Sequence, residues 1–263
     1  YLKLAKKKGN KDAEVKAHLA IGDVYLKENE LKGAKHHYTE ALTIEKKRNN
    51  KKGIVIANLK LGEFEKASNN AEQAIQYYRS SQNTAIEIED DKAVNEAFGN
   101  ISSIYESQNK VDEGIEINQE ALNYNKQRNN QNEVAQNNIN LANFYIQQDN
   151  NDLAIQSLQN TIEIADKTGD IEKKSKAFQV LSEAYTNSGL EDEAEKKYKE
   201  YLILEDSLYK MRARQLAAQN KKGELLENAQ NKLSLLEKDK ELSEKTIELL
   251  RQEKLIQEQF ISE

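Results

Sequence analysis

Three histidines, His18, His36 and His37, are the side chains best suited to move a proton or hold a metal near neutral pH. Helical metal ligands sit one turn apart, at i and i+4, whereas His36 and His37 are adjacent and point in different directions. Cysteine is absent, which removes disulfides, thiolate metal sites and a cysteine nucleophile. The ten glycines are scattered, and no phosphate-cradling glycine-rich loop occurs. Forty-five carboxylates are spread along the whole chain, so no acid–base pair stands out. The expectation is a stretch with no catalytic residues, no metal site and no cofactor.

The elements that position these side chains repeat every 40 residues, five times. Tyr25, Tyr105, Tyr145 and Tyr185 fall on one grid, broken only by Glu65. Three positions earlier come the small residues Gly22, Gly62, Ser102, Ala142 and Ser182. A second small series runs Ala34, Ala74, Gly114, Ala154 and Ala194. A period of this size signals stacked supersecondary units in which each copy covers its neighbour's apolar face. Val15, His18, Ile21, Gly22 and Tyr25 share one face of a first helix; Ala34, Tyr38, Ala41 and Leu42 mark a second. His18 takes the slot that Phe98 and Phe178 fill in other copies, so packing is its expected role. Asn10, Asn50, Asp90, Asn130 and Asp170 are predicted to cap the first helices, because their side-chain oxygens accept orphan amides. Gly9, Asn49, Glu89, Asn129 and Gly169, just before them, are predicted to end the preceding helices in the left-handed conformation.

Charge is uneven. Residues 1–60 carry 15 Lys and Arg against 7 Asp and Glu, while residues 61–150 carry 6 against 15. The acidic middle would attract a basic partner; two solvated helix faces of differing charge are the favoured account, since exposed charges at these densities are ordinary on helices. The N-terminal lysines are dispersed, so nucleic acid is not an expected partner. No apolar run approaches the roughly 20 residues needed to cross a bilayer.

The Leu/Ile-small-x-x-Tyr pattern of the first helices and the Ala-x-x-x-aromatic-x-x-Ala pattern of the second (Ala34, Tyr38 and Ala41 in the first copy) resemble the tetratricopeptide repeat in a 40-residue form. The resemblance covers residues 1–205. It implies an all-α fold, a right-handed superhelix of antiparallel helix pairs. Residues 1–10 read as the end of an upstream repeat, 11–208 as five repeats and 209–263 as a long C-terminal helix. The family's closing proline is missing from every copy, Glu65 stands where repeat two should carry tyrosine beside Phe64, and Asn118 replaces the aromatic of repeat three.

In the tail, Leu235, Leu242, Leu249 and Ile256 recur every seven residues, a coiled-coil spacing that predicts homodimerisation; a solvated amphipathic helix is the alternative. Repeats followed by such a tail resemble the N-terminal sensor region of bacterial tetratricopeptide-containing sensor histidine kinases. That resemblance implies a membrane-anchored parent whose membrane span and kinase core follow Glu263, with this region periplasmic or cytoplasmic. The kinase's phosphoacceptor would lie there too, since neither His18, His36 nor His37 is followed by glutamate as the family motif requires. A soluble adaptor or peptide-responsive regulator is the competing reading.

In the family the first helices line a concave face that receives a protein or peptide. Aligned by repeat, the groove positions here are Lys16, Leu19, Asp23, Ile56, Leu59, Glu63, Glu96, Asn100, Ser103, Glu106, Gln136, Asn140, Asn143, Lys176, Gln179 and Glu183. Asn100, Asn140 and Asn143 suit an extended segment, because an amide can both donate to and accept from a peptide backbone. The lysine–asparagine arrangement with which the family clamps a C-terminal carboxylate is not reproduced.

Overall fold

The computed structural model describes the backbone of residues 1–262, with side chains described through Leu225 and at scattered positions from there to Lys245. These residues form eleven helices and no strand: α1 (Leu2–Lys7), α2 (Lys11–Lys27), α3 (Leu31–Lys47), α4 (Lys51–Ala67), α5 (Ala71–Glu87), α6 (Asp91–Ser107), α7 (Val111–Gln127), α8 (Gln131–Gln147), α9 (Asn151–Thr168), α10 (Ile171–Asn187) and α11 (Glu191–Ser262). The chain separates into two units, residues 1–204 and 205–263. In the first, successive helices from α1 to α10 pack on each other in order, and first helices also meet across repeats, α2 with α4, α4 with α6, and α8 with α10. α11 runs unbroken from Glu191 to Ser262, so the second helix of repeat five and residues 209–262 belong to one helical run.

The turns explain how such regular stacking survives without proline. A left-handed residue recurs every 20 positions, and the five expected ones, Gly9, Asn49, Glu89, Asn129 and Gly169, all have positive φ. Asn29, Asn69, Asn109, Asp149 and Gly189 do the same inside the repeats. The amide that follows each of them donates five residues back, as in Asn10 to the Ala5 carbonyl at 3.0 Å and Asp90 to the Ala85 carbonyl at 2.9 Å. This Schellman closure satisfies the last carbonyls and stops the helix. Four of the five predicted caps form: Asn10, Asn50, Asp90 and Asp170 accept from the backbone three residues on. Asn130 does not. Its amide donates instead to Asp91 Oδ2 at 3.3 Å and Asn125 Oδ1 at 3.4 Å, because a carboxylate next door outcompetes its own helix end.

The packing rule runs across the first four hairpins. A Cβ on Gly22 would lie 2.5 Å from the Tyr38 ring, and one on Gly62 would lie 2.5 Å from the Tyr78 ring. Both tyrosines are fully buried. The same two slots hold Ser102 with Asn118 and Ala142 with Leu158, so the first-helix residue gains atoms where the second-helix residue loses them. In repeat three Asn118 Nδ2 donates to Ser102 Oγ at 2.7 Å, replacing ring-on-glycine contact by a hydrogen bond. The grid tyrosines Tyr25, Tyr105, Tyr145 and Tyr185 are only half-buried, so the hairpin-filling role belongs mainly to Tyr38, Tyr78 and Leu158.

Glu65 is compensated from across the repeat junction. It is 1% exposed, with Lys35 Nζ 2.8 Å from its Oε1 and Asn70 Nδ2 donating to its Oε2 at 2.8 Å. The slot of Lys35 holds isoleucine in the next three repeats, Ile75, Ile115 and Ile155. Tyrosine facing isoleucine has become glutamate facing lysine. Phe64 is buried beside it and takes the Lys35 ammonium over its ring, 5.8 Å from the centroid. The carboxylate holds the Lys35 pKa above its usual value, against the opposing effect of partial burial.

Candidate peptide-binding groove

Positions one turn apart on α6 and α8 build the centre of the candidate groove. Ser103 and Glu106 of α6 and Asn140 and Asn143 of α8 surround a hollow of 160 Å³, completed by Gly99, Ser102 and Phe144. A Cβ on Gly99 would meet nothing within 4 Å, so the α6 side of this hollow is open. Four predicted groove residues therefore converge. Asn100 is half-buried but does not line the hollow, while Gln136, Lys176 and Glu183 are exposed. Lys176 Nζ donates to Gln179 at 2.9 Å, and the Glu183 side chain makes no hydrogen bond or ion pair.

The three asparagines are not equivalent. Asn140 donates to Asn118 Oδ1 at 3.1 Å and accepts from Gln136 Nε2 at 3.0 Å. Asn118 in turn donates to Ser102 and to the Gly114 carbonyl. Asn140 is thus one member of a chain of amides that replaces the missing aromatic of repeat three. Asn100 and Asn143 make no side-chain hydrogen bond, and their donors and acceptors are available to a ligand. Sequence reasoning missed Gly99, Ser102 and Phe144. The signal for Phe144 was Gly114, the one glycine in an otherwise alanine series, whose absent side chain makes room for the Phe144 ring.

Repeats one and two frame the groove with charge. The Tyr38 hydroxyl donates to Asp23 Oδ1 at 2.7 Å, and Lys60 Nζ lies 3.3 Å from the same oxygen and 3.0 Å from Glu63 Oε2. Burial opposes the Lys60 charge, but Glu63 and Asp23 together hold its pKa above the usual lysine value. Lys16 and Ile56 are exposed, Leu19 is half-buried, and Leu59 is buried in the core and drops out of the groove. Two larger hollows, of 660 and 580 Å³, open instead at helix starts and turns, around Asn129–Glu133 and Asn69–Gln73. The larger one takes in Glu96, an expected groove position, together with Lys92 and Asn95 of α6 and Asn132 and Glu133 of α8.

The histidines do meet. His18 Nδ1 and His37 Nδ1 are 3.0 Å apart, one donating and the other accepting, and His36 packs edge-on to His37. Among the described residues no group of three metal-ligating side chains forms. In the tail, Leu235 is 63% exposed, while the side chains of Leu242, Leu249 and Ile256 lie outside the described residues. Among the described residues no helix is long and apolar enough to cross a membrane.

Comparison with known proteins agrees with this architecture. Residues 15–48 match the family model of the tetratricopeptide repeat. Among solved structures, BtubC (BKLC) from P. vanneervenii superimposes with a TM-score of 0.65 at 18% identity, covering 79% of this chain and 86% of that one. The tetratricopeptide-sensor STAND signal-transduction ATPase from Pyrococcus horikoshii gives 0.67 at 18% identity over 78% of this chain and 32% of its own. The MamA protein gives 0.52 at 26% identity over 74% and 94%. Among curated proteins none matches the chain significantly.

Proposed function

We propose that this array of tetratricopeptide repeats, a protein-interaction fold, is the peptide- or protein-binding sensor region of a signalling protein. The observation that carries the reading is the pairing of an open, polar groove on α6 and α8 with a last-repeat helix that continues uninterrupted to Ser262. A ligand that prefers one curvature of the array shifts the population of arrangements, and the shift acts on α11 directly. A sensor role has precedent in this fold, since the STAND ATPase carries a tetratricopeptide repeat sensor. In the fuller form of the proposal the parent is a membrane-anchored histidine kinase. There the stripe Leu235, Leu242, Leu249 and Ile256 joins two copies of the tail, as the seven-residue spacing favours.

Two measurements test this. An immobilised library of extended octapeptides, probed with the full chain and with Asn100→Ala/Asn143→Ala, should lose most of its binding in the variant. Equal binding would remove the groove. Sedimentation of the full chain with Leu235→Asp/Leu242→Asp should shift the mass from dimer to monomer, and an unchanged mass would remove the tail seam. The residues after Glu263 separate the outputs. An apolar run of about 20 residues followed by His-Glu-x-x-x-Pro supports the kinase, and a polar continuation supports an adaptor.

A further inference from the structure

The second helices of repeats one to four, α3, α5, α7 and α9, are each packed against the first helix of the next repeat. Three slots record that cover. The first holds Tyr38, Tyr78, Asn118 and Leu158, and the second holds Ala41, Ser81, Ala121 and Thr161, all buried. The third holds Leu42 and Gln82, buried, then Leu122 and Ile162, half-buried. In repeat five the same slots fall at the start of α11 and hold Tyr198, Tyr201 and Leu202. There Tyr198 is 49% exposed and Leu202 48%, while Tyr201 is half-buried with its ring centroid 5.7 Å from that of Tyr198. Ala194 is buried and the Lys197 ammonium lies over the Phe178 ring, 4.8 Å from its centroid, so α11 is seated on α10 by another side. Its remaining face has the composition of an internal junction and lies open.

The residues that follow do not turn back to cover it. The 20-residue rhythm places the next left-handed residue at Tyr209, yet α11 is helical through that position, and no described residue after Gly189 has positive φ. The same face of a second copy is a poor match. Inside the array a buried ring is set against glycine, as Tyr38 is on Gly22 and Tyr78 on Gly62, whereas this face offers two tyrosines and a leucine. Two such faces would crowd ring against ring and leave gaps between them, and cores tolerate neither. The matching faces of the first helices of a second copy are already buried within its own array.

The chemistry of the missing helix follows from α3. Tyr198, Leu202 and Glu205 repeat Tyr38, Leu42 and Glu45 in sequence, and the one change within the set is Ala41 to Tyr201. α4 covers α3 with Ala57 and Leu61, both 0% exposed and clustered with Tyr38 and Leu42. It also brings Gly53, whose missing side chain leaves room for Glu45. From these features we infer that the start of α11 docks an amphipathic helix of a partner protein, one that presents leucine flanked by glycine or alanine as α4 does. The small residues of that helix accommodate the Tyr201 ring, and its apolar stripe covers Tyr198 and Leu202. The surface is separate from the groove on α6 and α8 and does not depend on it.

The test uses the full chain and a labelled, end-blocked peptide with the sequence of α4, Lys51–Ala67, read by fluorescence anisotropy. It should bind about tenfold or more tightly than the same peptide carrying Ala57→Lys/Leu61→Lys, as expected when the centre of an apolar contact is lost. Tyr198→Asp/Leu202→Asp in the full chain, at two exposed positions, should abolish peptide binding with little change in Tm. Tyr201→Ala completes the α3 sequence on α11 and should tighten binding of the α4 peptide several-fold, a gain that a tyrosine serving only its own repeat would not give. Equal affinity for the two peptides, no binding of the α4 peptide, or undiminished binding by the aspartate variant overturns the inference. Sedimentation of that variant, its Leu235 stripe intact, should give the mass of the native chain. A fall to a smaller species would make a second copy the occupant and overturn the assignment to a partner protein.

Discussion

Repeats two and three share a backbone and solve its two departures in opposite ways. Repeat two keeps the fully buried tyrosine, Tyr78, against Gly62, and places its anomaly at the junction, where Glu65 meets Lys35. Repeat three keeps the junction tyrosine, Tyr105, and places its anomaly inside the hairpin, where Asn118 meets Ser102. In each case one substitution is answered by one across the interface, and the neighbouring turns are untouched. Stacked units contact only their neighbours, so a polar solution remains local. The consequence is functional as well. Repeat two closes its hairpin and leaves the buried Tyr78 hydroxyl without a hydrogen-bond partner, whereas repeat three opens a hollow lined with amides.

The difference can be broken most severely at Gly62. Gly62→Ala puts a methyl group 2.5 Å from a rigid, buried ring, and we expect a loss of about 2–3 kcal/mol by denaturant unfolding. Adding Tyr78→Leu recreates the Ala142–Leu158 pair of repeat four and should recover most of the loss. A double variant as unstable as the single one would refute the size-matching rule.

Next comes the ion pair. Lys35→Met leaves Glu65 buried with only Asn70, and should cost about 2 kcal/mol, less than for a fully buried pair because Lys35 is half in solvent. Lys35→Ile/Glu65→Tyr installs the pair of repeat three and should be at least as stable as the native chain. A double-mutant cycle showing no coupling would end the claim that the two substitutions compensate.

Repeat one adds a titratable version of the same device, with histidine in the slot of Phe98. Burial lowers the His18 pKa first, reinforced by His37 and Lys6 and opposed by Glu40 and Glu14. Burial likewise lowers that of His37, reinforced by His36 and Lys6 and opposed by Glu40. Both folded-state values sit below the ordinary 6.5. The unfolded chain therefore binds protons first as pH falls, so their stabilisation is complete above that value and is lost as pH drops through the folded values. Tm should fall by a few degrees between neutral pH and pH 5. His18→Phe should remove part of that fall, and an identical pH profile in the variant would exclude the pair as its source.

The period, the helix ends and nearly every cap were legible in the sequence, because they depend on residues a few positions apart. Glu89 could be assigned a left-handed conformation only because Asn49 and Asn129 flank it one period away. What could not be read depends on the angular phase between antiparallel helices. His18 reaches His37 across 19 residues, and Asn140 is drawn into the Asn118 network, for reasons no single-helix pattern contains. Asn130 looked like its four counterparts and behaves differently because Asp91 stands beside it. The candidate groove positions could be read only as one face of each first helix, while their availability was decided by neighbours that only the packed array brings close.

The smallest expected effect lies at the turn joining the two contrasted repeats. Glu89 has φ +56, a conformation that costs a non-glycine residue of its shape about 1 kcal/mol or more. Its side chain makes no hydrogen bond or ion pair, and it sits beside Asp90, Asp91 and Glu87 in sequence, so no side-chain contact offsets that strain. Glu89→Gly removes the strain and one of four clustered negative charges, but loosens the unfolded chain, leaving a net gain of about 0.5 kcal/mol. Glu89→Asn avoids most of the entropic loss and should gain as much or more. Glu89→Ala keeps a Cβ in the same backbone region and should gain nothing beyond the relief of charge. If alanine stabilised the chain as well as glycine, repulsion and not backbone strain would be the cost carried at this junction, and the turn would impose no conformational demand on the packing of repeat two against repeat three.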